Sequence, residues 1–321
     1  MGFFSKRKRE ARWFFATDIH GSDRCYRKFL AAAKVYDADV LVLGGDVAGK
    51  GIVPLVRNDG VYDVTFQGRS ESVQEEALAE ACERIRFNGL YPYVCDADEA
   101  DALHDPSTRA RLFDELIAGQ IEDWARLTAE RLPSTVRCIV TPGNDDPEVV
   151  DRELAAADRI ECPERAVLEV GPVSLASLGN TNHTPWHTER EFDESALAAQ
   201  IDAMLDGHAR GDQTFVFNFH CPPYDSQLDL APELDSELRP VVRRGHNATV
   251  PVGSTAVRDA IERYSPEVGL HGHIHESKGR VRIGRSQCFN PGSEYASGVL
   301  KGIIVDFDPG GECLNYLFTA G

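Results

Sequence analysis

Paired cysteines, long apolar runs and positive charge are all scarce in this chain of 321 residues, and each shortage removes a class of function. The eight cysteines stand at 25, 82, 95, 138, 162, 221, 288 and 313 with no CxxC pair. That scatter argues against a disulfide framework and against a zinc ribbon. Reduced, structural thiols are the simpler reading, and they point to the cytoplasm. No stretch is long enough to span a bilayer. Lys and Arg number 34 against 52 Asp and Glu, a net charge of −18. Such a field repels nucleic-acid backbones and anionic membranes at long range, so neither is an expected partner. A small phosphate ester held at a local cationic spot stays compatible with it.

The opening MGFFSKRKREARWFFATD carries a basic cluster, but the apolar run behind it is too short for a signal peptide and reads as a first strand. Gly2 is present, yet Lys6 stands where a myristoylation signal needs Ser or Thr.

What the chain does have is an ordinary globular composition, 42% hydrophobic and 27% charged, at a length that buries a large core. Short apolar runs alternate with amphipathic helical patterns. Strands are expected at 12–17, 39–45, 136–141, 166–170, 173–179, 214–219 and 267–272, with a helix over 22–36 and a β-rich end. Apolar strands without alternation imply sheets covered on both faces. One segment interrupts the rhythm. Asp59-Gly60 between β-rich arms signals a hairpin. A helix is expected from Ser72, with Glu75 completing a capping box, to Asn88-Gly89. A second is expected from Asp105-Pro106, with Phe113, Ile117, Ile121 and Trp124 on one face. No Gly/Ser/Pro linker brackets this segment, so residues 1–321 read as a single domain with a hairpin-plus-helices insertion at about 47–135.

The informative pattern follows the strands. ATDIHG puts Asp18 and His20 two apart, where alternation along an extended segment would point both the same way. LGGDV, PGND and FNFHCPP place Asp46, Asn144 and His220 after three more strands, and LHGHIHES puts His273 and His275 two apart. Singly these are weak: a GD is usually a turn, and an Asn before two Asp is usually a helix cap. Together they fall where an α/β chain builds its sites, at the C-terminal ends of strands. The set divides into Asp18, His20 and His275 for one ion and Asn144, His220 and His273 for another, with Asp46 bridging. Mixed imidazole and carboxylate donors suit Mn, Fe, Zn or Co, with Mn the first expectation, over Ca or Mg. Two such ions roughly 3.5–4 Å apart clamp the attacking and leaving oxygens of an in-line displacement.

In this order (DxH, GD, GN followed by an acid, H, GHxH) the set resembles the calcineurin-like metallophosphoesterases, over residues 13 to about 300. FHCPPY, GHIHES and NPGSEY strengthen the likeness. The resemblance implies an α/β fold, a four-layer αββα sandwich with a dinuclear metal site at the strand C-terminal ends. It also implies hydrolysis of a small phosphate ester. An interaction scaffold with a degraded site is the competing function, and a nuclease a third that the acidic balance disfavours.

One position departs from the family. The usual His after GN is Asp145, while Asp146 matches the closing acid that orients its neighbours. Asp145 beside two cations would be ionised, a poor proton donor that repels phosphate. Three outcomes follow: a preference for phosphodiesters over monoesters, a nearby His183 or His187 taking over, or an Asp145 that turns away to cap the next helix. Arg243 and Arg244 read either as a second phosphate contact or as solvated surface.

Overall fold

The strand-like apolar runs gather into two large sheets in the computed structural model, which describes residues 8–208 and 214–321. Gly2 and Lys6 lie outside the described residues. The first sheet runs Cys313–Ala320, Lys301–Phe307, Ala11–Ala16, Val40–Gly44, Arg137–Thr141. Its last three strands are parallel neighbours, and Lys301–Phe307 pairs antiparallel to Ala11–Ala16. The second runs Gly279–Ile283, Ser286–Asn290, Val268–Leu270, Phe215–Phe219, Val173–Leu178, Ala166–Val170. Its four inner strands are parallel and its two edges antiparallel.

Successive side chains of a strand face opposite ways, and both ways are apolar here. Trp13, Phe15, Val42, Ile303 and Phe307 of the first sheet share one cluster with Leu175, Val216, Leu270 and Phe289 of the second. Phe14, Leu41, Leu43 and Val140, on the other face of the first sheet, pack with Phe29 and Leu30 of the Asp23–Val35 helix. Phe217 and Phe219 of the second sheet pack with Leu197, Ile201, Val257 and Ile261 from helices Glu194–Leu205 and Thr255–Tyr264. The missing alternation has this cause: neither face of the central strands meets water. The fold is mixed α/β.

Helix Asp23–Val35 starts where Ser22 Oγ accepts from the Cys25 amide at 3.3 Å, with Asp23 in its first turn and Lys34 in its last. Asp105 caps helix Pro106–Arg131 through the Thr108 amide. Ile117, Ile121 and Trp124 of this helix join the same cluster as Phe29. Trp124 stacks on Tyr26 at 4.2 Å and donates to Asp23 at 2.6 Å, while Gln120 donates to the Gly21 carbonyl at 2.9 Å.

Between these two helices in the sequence comes a four-stranded sheet in the order Arg69–Gln74, Val61–Phe66, Ile52–Asn58, Tyr91–Cys95. Leu55, Tyr62, Val64, Cys82 and Ile85 form a cluster of their own. Asp59 and Gly60 make the tight turn, both with positive φ. The helix expected from Ser72 starts later, at Leu78. Ser72 sits in a strand and donates to Asp63, and Glu75 accepts from Tyr62 at 2.6 Å instead of reaching back to a cap. Pairing with Val61–Phe66 satisfies the backbone that the capping box would have served.

Candidate metal centre

Asp18 and His20 follow strand Ala11–Ala16, Asp46 follows Val40–Gly44 and Asn144 follows Arg137–Thr141. His220 follows Phe215–Phe219, while His273 and His275 follow Val268–Leu270. The loops are stitched together. The amides of Asp18 and His20 donate to the carbonyls of Gly45 and Asp46 at 3.0 and 2.9 Å, and that of Gly272 donates to the His220 carbonyl at 3.0 Å. Asp18, His20, Asp46 and His273 have φ of 53°, 40°, 50° and 66°, a left-handed conformation that side-chain-bearing residues seldom adopt. The alternation expected for Asp18 and His20 is therefore wrong. The strand ends at Ala16, and the two side chains meet through left-handed turns instead of along an extended chain.

Two glycines make room for this. A Cβ on Gly45, itself at φ +110°, would come within 2.1 Å of His220 Nδ1, and one on Gly143 within 2.2 Å of Asp46 Oδ1.

All seven candidate ligands come to one place, and six of them form two overlapping groups. Asp18, His20, Asp46 and His275 offer donor atoms within 4.8 Å of one another, as do Asp46, His220 and His273. His20 Nε2 lies 3.1 Å from His275 Nε2 and 3.6 Å from Asp46 Oδ2. His275 Nε2 is 3.3 Å from Asp18 Oδ1, and His220 Nε2 is 3.4 Å from Asp46 Oδ1.

The atoms left over show what the cluster can hold. Near the Gly44 carbonyl, at 2.9 Å, His220 Nδ1 has to be the N–H, because a carbonyl only accepts. His220 Nε2 is buried without a hydrogen-bond partner, and it becomes a lone pair, able to take an ion, once the ring gives up its second proton. Asn144 Nδ2 donates to Asp145 Oδ1 at 3.1 Å and to Thr188 Oγ1 at 2.8 Å. Its Oδ1 therefore turns the other way, again buried and unpartnered. Thr188 in turn donates to Glu191 at 2.7 Å, which fixes the amide. Buried polar atoms without partners are costly, and imidazole, carboxylate and amide oxygen in this grouping are what divalent transition ions take as ligands.

Charge tells the same story. Burial opposes ionisation of Asp18, but His220 and His275 hold its carboxyl at about 2. Asp46 is also held low against burial, by His220 and His20. Burial keeps His20 and His273 neutral, at about 3 and about 4. His220 is driven up to about 10 despite burial, because Asp46 and Asp18 flank it. A field that raises an imidazole this far favours any cation placed in it.

The second-tier residues sort differently. Asp146 is fully buried and accepts from the amides of Val47 at 2.9 Å, Ala48 at 2.7 Å and Gly143 at 2.8 Å. It thus ties the Asp46 loop to the Asn144 loop. Burial and Asp46 raise its carboxyl to about 7. Asp145 does not cap the helix that follows, whose N-cap is Pro147. Its carboxylate faces Lys50 Nζ at 3.0 Å and His20 Nδ1 at 4.0 Å. His183 turns to Asp193 at 3.2 Å and Glu191 at 3.7 Å and is exposed. Arg243 pairs with Glu233 at 2.8 Å on an exposed hairpin.

Sequence reasoning missed Lys50, Thr188 and Tyr295, whose ring lies 4.6 Å from that of His20. Ser293, which donates to the Asp18 carbonyl at 2.7 Å, and Tyr295 belong to NPGSEY, so that motif was the available signal. Lys50 carried none.

No family model matches the chain. An uncharacterized protein of Methanocaldococcus jannaschii is 26% identical over 163 residues, 50% of this chain and 66% of that protein, so the match spans just under two thirds of the relative. One solved crystal structure covers 97% of this chain and 98% of its own with a TM-score of 0.56 at 13% identity, which shows a shared fold. A 5′-nucleotidase precursor from Thermus thermophilus covers 97% of this chain and 54% of its own, 15% identical, with a TM-score of 0.40, too low to argue from. Among the described residues, no helix is long and apolar enough to cross a membrane.

Proposed function

We propose that this chain is a dinuclear metal-dependent hydrolase of small phosphate esters, built on a four-layer αββα sandwich. One observation carries the reading: two donor groups share Asp46, and two buried polar atoms of the proposed ligands, Asn144 Oδ1 and His220 Nε2, have no partner. Asp18, His20 and His275 would hold one ion, Asn144, His220 and His273 the other, and Asp46 both. The clusters on both faces of each large sheet support the sandwich.

Two divalent ions, manganese first among them, would supply Lewis-acid polarisation of the phosphoryl group and activation of water. The chain's own part is to hold the donors and set the charge. Gly44 and the Thr188–Glu191 pair orient His220 and Asn144, Asp146 locks two ligand loops together, and Tyr295 packs on His20. A diester brings one negative charge where a monoester brings about two. At the rim Asp145 offsets the charge of Lys50, 3.0 Å away, so the pair pulls on a dianion less than a lone cation would, and diesters are favoured. Eight free thiols suit the reducing cytoplasm.

The test is metal content together with turnover of bis(p-nitrophenyl) phosphate and p-nitrophenyl phosphate on protein loaded with Mn, Fe or Zn. About two ions per chain and faster diester turnover are expected, and Asp46→Asn should lose metal and at least about 100-fold in rate on both esters. Metal without turnover would favour an interaction scaffold. Protein that binds no metal would remove the enzyme reading altogether.

A further inference from the structure

We propose that Lys50 is the substrate-contacting cation of this site, held in place by Asp145. The inference rests on the phosphoesterase reading above. Lys50 Nζ lies 3.0 Å from Asp145 Oδ2, and that oxygen is 4.0 Å from His20 Nδ1. The Asp145 amide donates to Asp46 Oδ1 at 3.1 Å, and the other Asp145 oxygen accepts from Asn144 at 3.1 Å. The ammonium therefore stands one residue away from both ligand groups. Among the described residues, no other Lys or Arg forms an ion pair with Asp18, Asp46 or Asp145.

Exposure places the pair at the mouth. The side chains of Lys50 and Asp145 are 43% and 26% exposed, whereas those of Asp18 and His220 are 1% exposed. The backbone beneath Lys50 is anchored. Its amide donates to the Gly89 carbonyl at 3.0 Å, and that of Gly49 to Tyr91 Oη at 2.9 Å. A Cβ on Gly49 would meet the Gly89 carbonyl at 2.7 Å, so this segment packs too closely to drift. An ammonium has three N–H donors. One serves Asp145, and the others are free for a phosphoryl oxygen arriving from solvent. Asp145 alone would repel phosphate; paired, it becomes the positioning residue of a cation. His183 faces Asp193 and Glu191 instead, at 3.2 and 3.7 Å.

The experiment compares Lys50→Met, Lys50→Arg, Asp145→Ala and the Lys50→Met/Asp145→Ala double variant as metal-loaded proteins. Bound metal, thermal midpoint, kcat and KM on both nitrophenyl esters, and the inhibition constant of inorganic phosphate are measured. Lys50→Met is expected to keep wild-type metal and midpoint. Its phosphate affinity and kcat/KM should fall about 10- to 100-fold, more on the monoester than on the diester. Lys50→Arg should recover most of that loss. Asp145→Ala should cost less, and the double variant no more than Lys50→Met alone, since positioning residue and cation act through one contact.

Unchanged phosphate affinity and kinetics in Lys50→Met overturn the inference and leave the enzyme reading standing. Loss of metal or of thermal midpoint in both Lys50→Met and Lys50→Arg also overturns it, and assigns Lys50 to holding the insertion. Wild-type protein without metal or turnover fails at the first measurement and takes down the phosphoesterase reading on which the inference rests.

Discussion

The loops that leave the parallel strands and the four-stranded sheet inserted after the second of them follow opposite rules, although Gly49 and Lys50 join one to the other. In the loops, Asp18, His20, Asp46 and His273 are all left-handed, carry charge or potential charge, and crowd within hydrogen-bond reach. In the insertion the positive-φ residues are Asp59, Gly60, Gln67, Gly68 and Gly89, mostly at hairpin turns where such torsions are ordinary. Its polar side chains pair openly, as Ser72 does with Asp63 and Thr65 with Ser70. Strain at a turn is local and satisfies the chain's direction. Strain shared by four clustered acids and imidazoles persists only because the surrounding packing enforces it. The difference sets the loops, which gather the candidate ligands, apart from the four-stranded sheet, which packs around an apolar cluster of its own.

The largest expected effect comes from removing the room those loops need. Gly45→Ala places a methyl 2.1 Å from His220 Nδ1 at a backbone φ of +110°. His220 cannot retreat without losing the Gly44 carbonyl. A loss of about 3–5 kcal/mol in stability is expected, together with weaker metal binding. Chemical denaturation and metal analysis of the variant would show it. A fully stable Gly45→Ala that keeps its metal would mean that His220 does not sit as described.

How much of this was legible follows from the same contrast. The gathering of these side chains was visible in the sequence because Asp18-x-His20 and His273-x-His275 stand directly behind apolar strands, at ends that one edge of the fold brings together. Their geometry was not. Period-two alternation predicted shared direction for Asp18 and His20, and only the left-handed torsions explain their meeting. In the insertion the tight Asp59-Gly60 turn was legible because it needs positive φ at both positions. The Ser72–Glu75 pattern misled, since strand pairing outcompeted a local cap. Lys50 was invisible for another reason. Its partner Asp145 is 95 positions away, and no periodicity links a lone lysine after a strand to a carboxylate after a different one.

A smaller effect separates the regions by acidity. His220 sits at about 10 because Asp46 and Asp18 lift it, against burial, from an ordinary 6.5. An ion taking His220 Nε2 must displace that proton. Metal affinity should therefore rise with pH below about 10, by about tenfold per unit for each proton released. Titration calorimetry in two buffers of different ionisation enthalpy should give about one proton released per chain at pH 7. In metal-free protein the sign is reversed. A raised imidazole stabilises fully below 6.5 and loses that contribution as pH rises through about 10, so the thermal midpoint should decline over that window. Proton-independent metal binding would count against His220 as a ligand.

The smallest effect belongs to the turn of the insertion. A Cβ on Gly60 meets nothing within 4 Å, yet its φ is +87°. Gly60→Ala should therefore cost about 1 kcal/mol through backbone conformation alone, with no change in bound metal. Gly60→Asn should cost less, because asparagine tolerates the left-handed region by bonding to its own backbone. Denaturation midpoints of the two variants decide the matter. Should alanine and asparagine cost the same, torsional strain is not what sets this turn. Should either variant shed metal, the insertion is coupled to the ligand loops more tightly than its separate apolar cluster implies. The contrast between sheet and ligand loops would then have to be redrawn at Gly49 and Lys50, where the two meet.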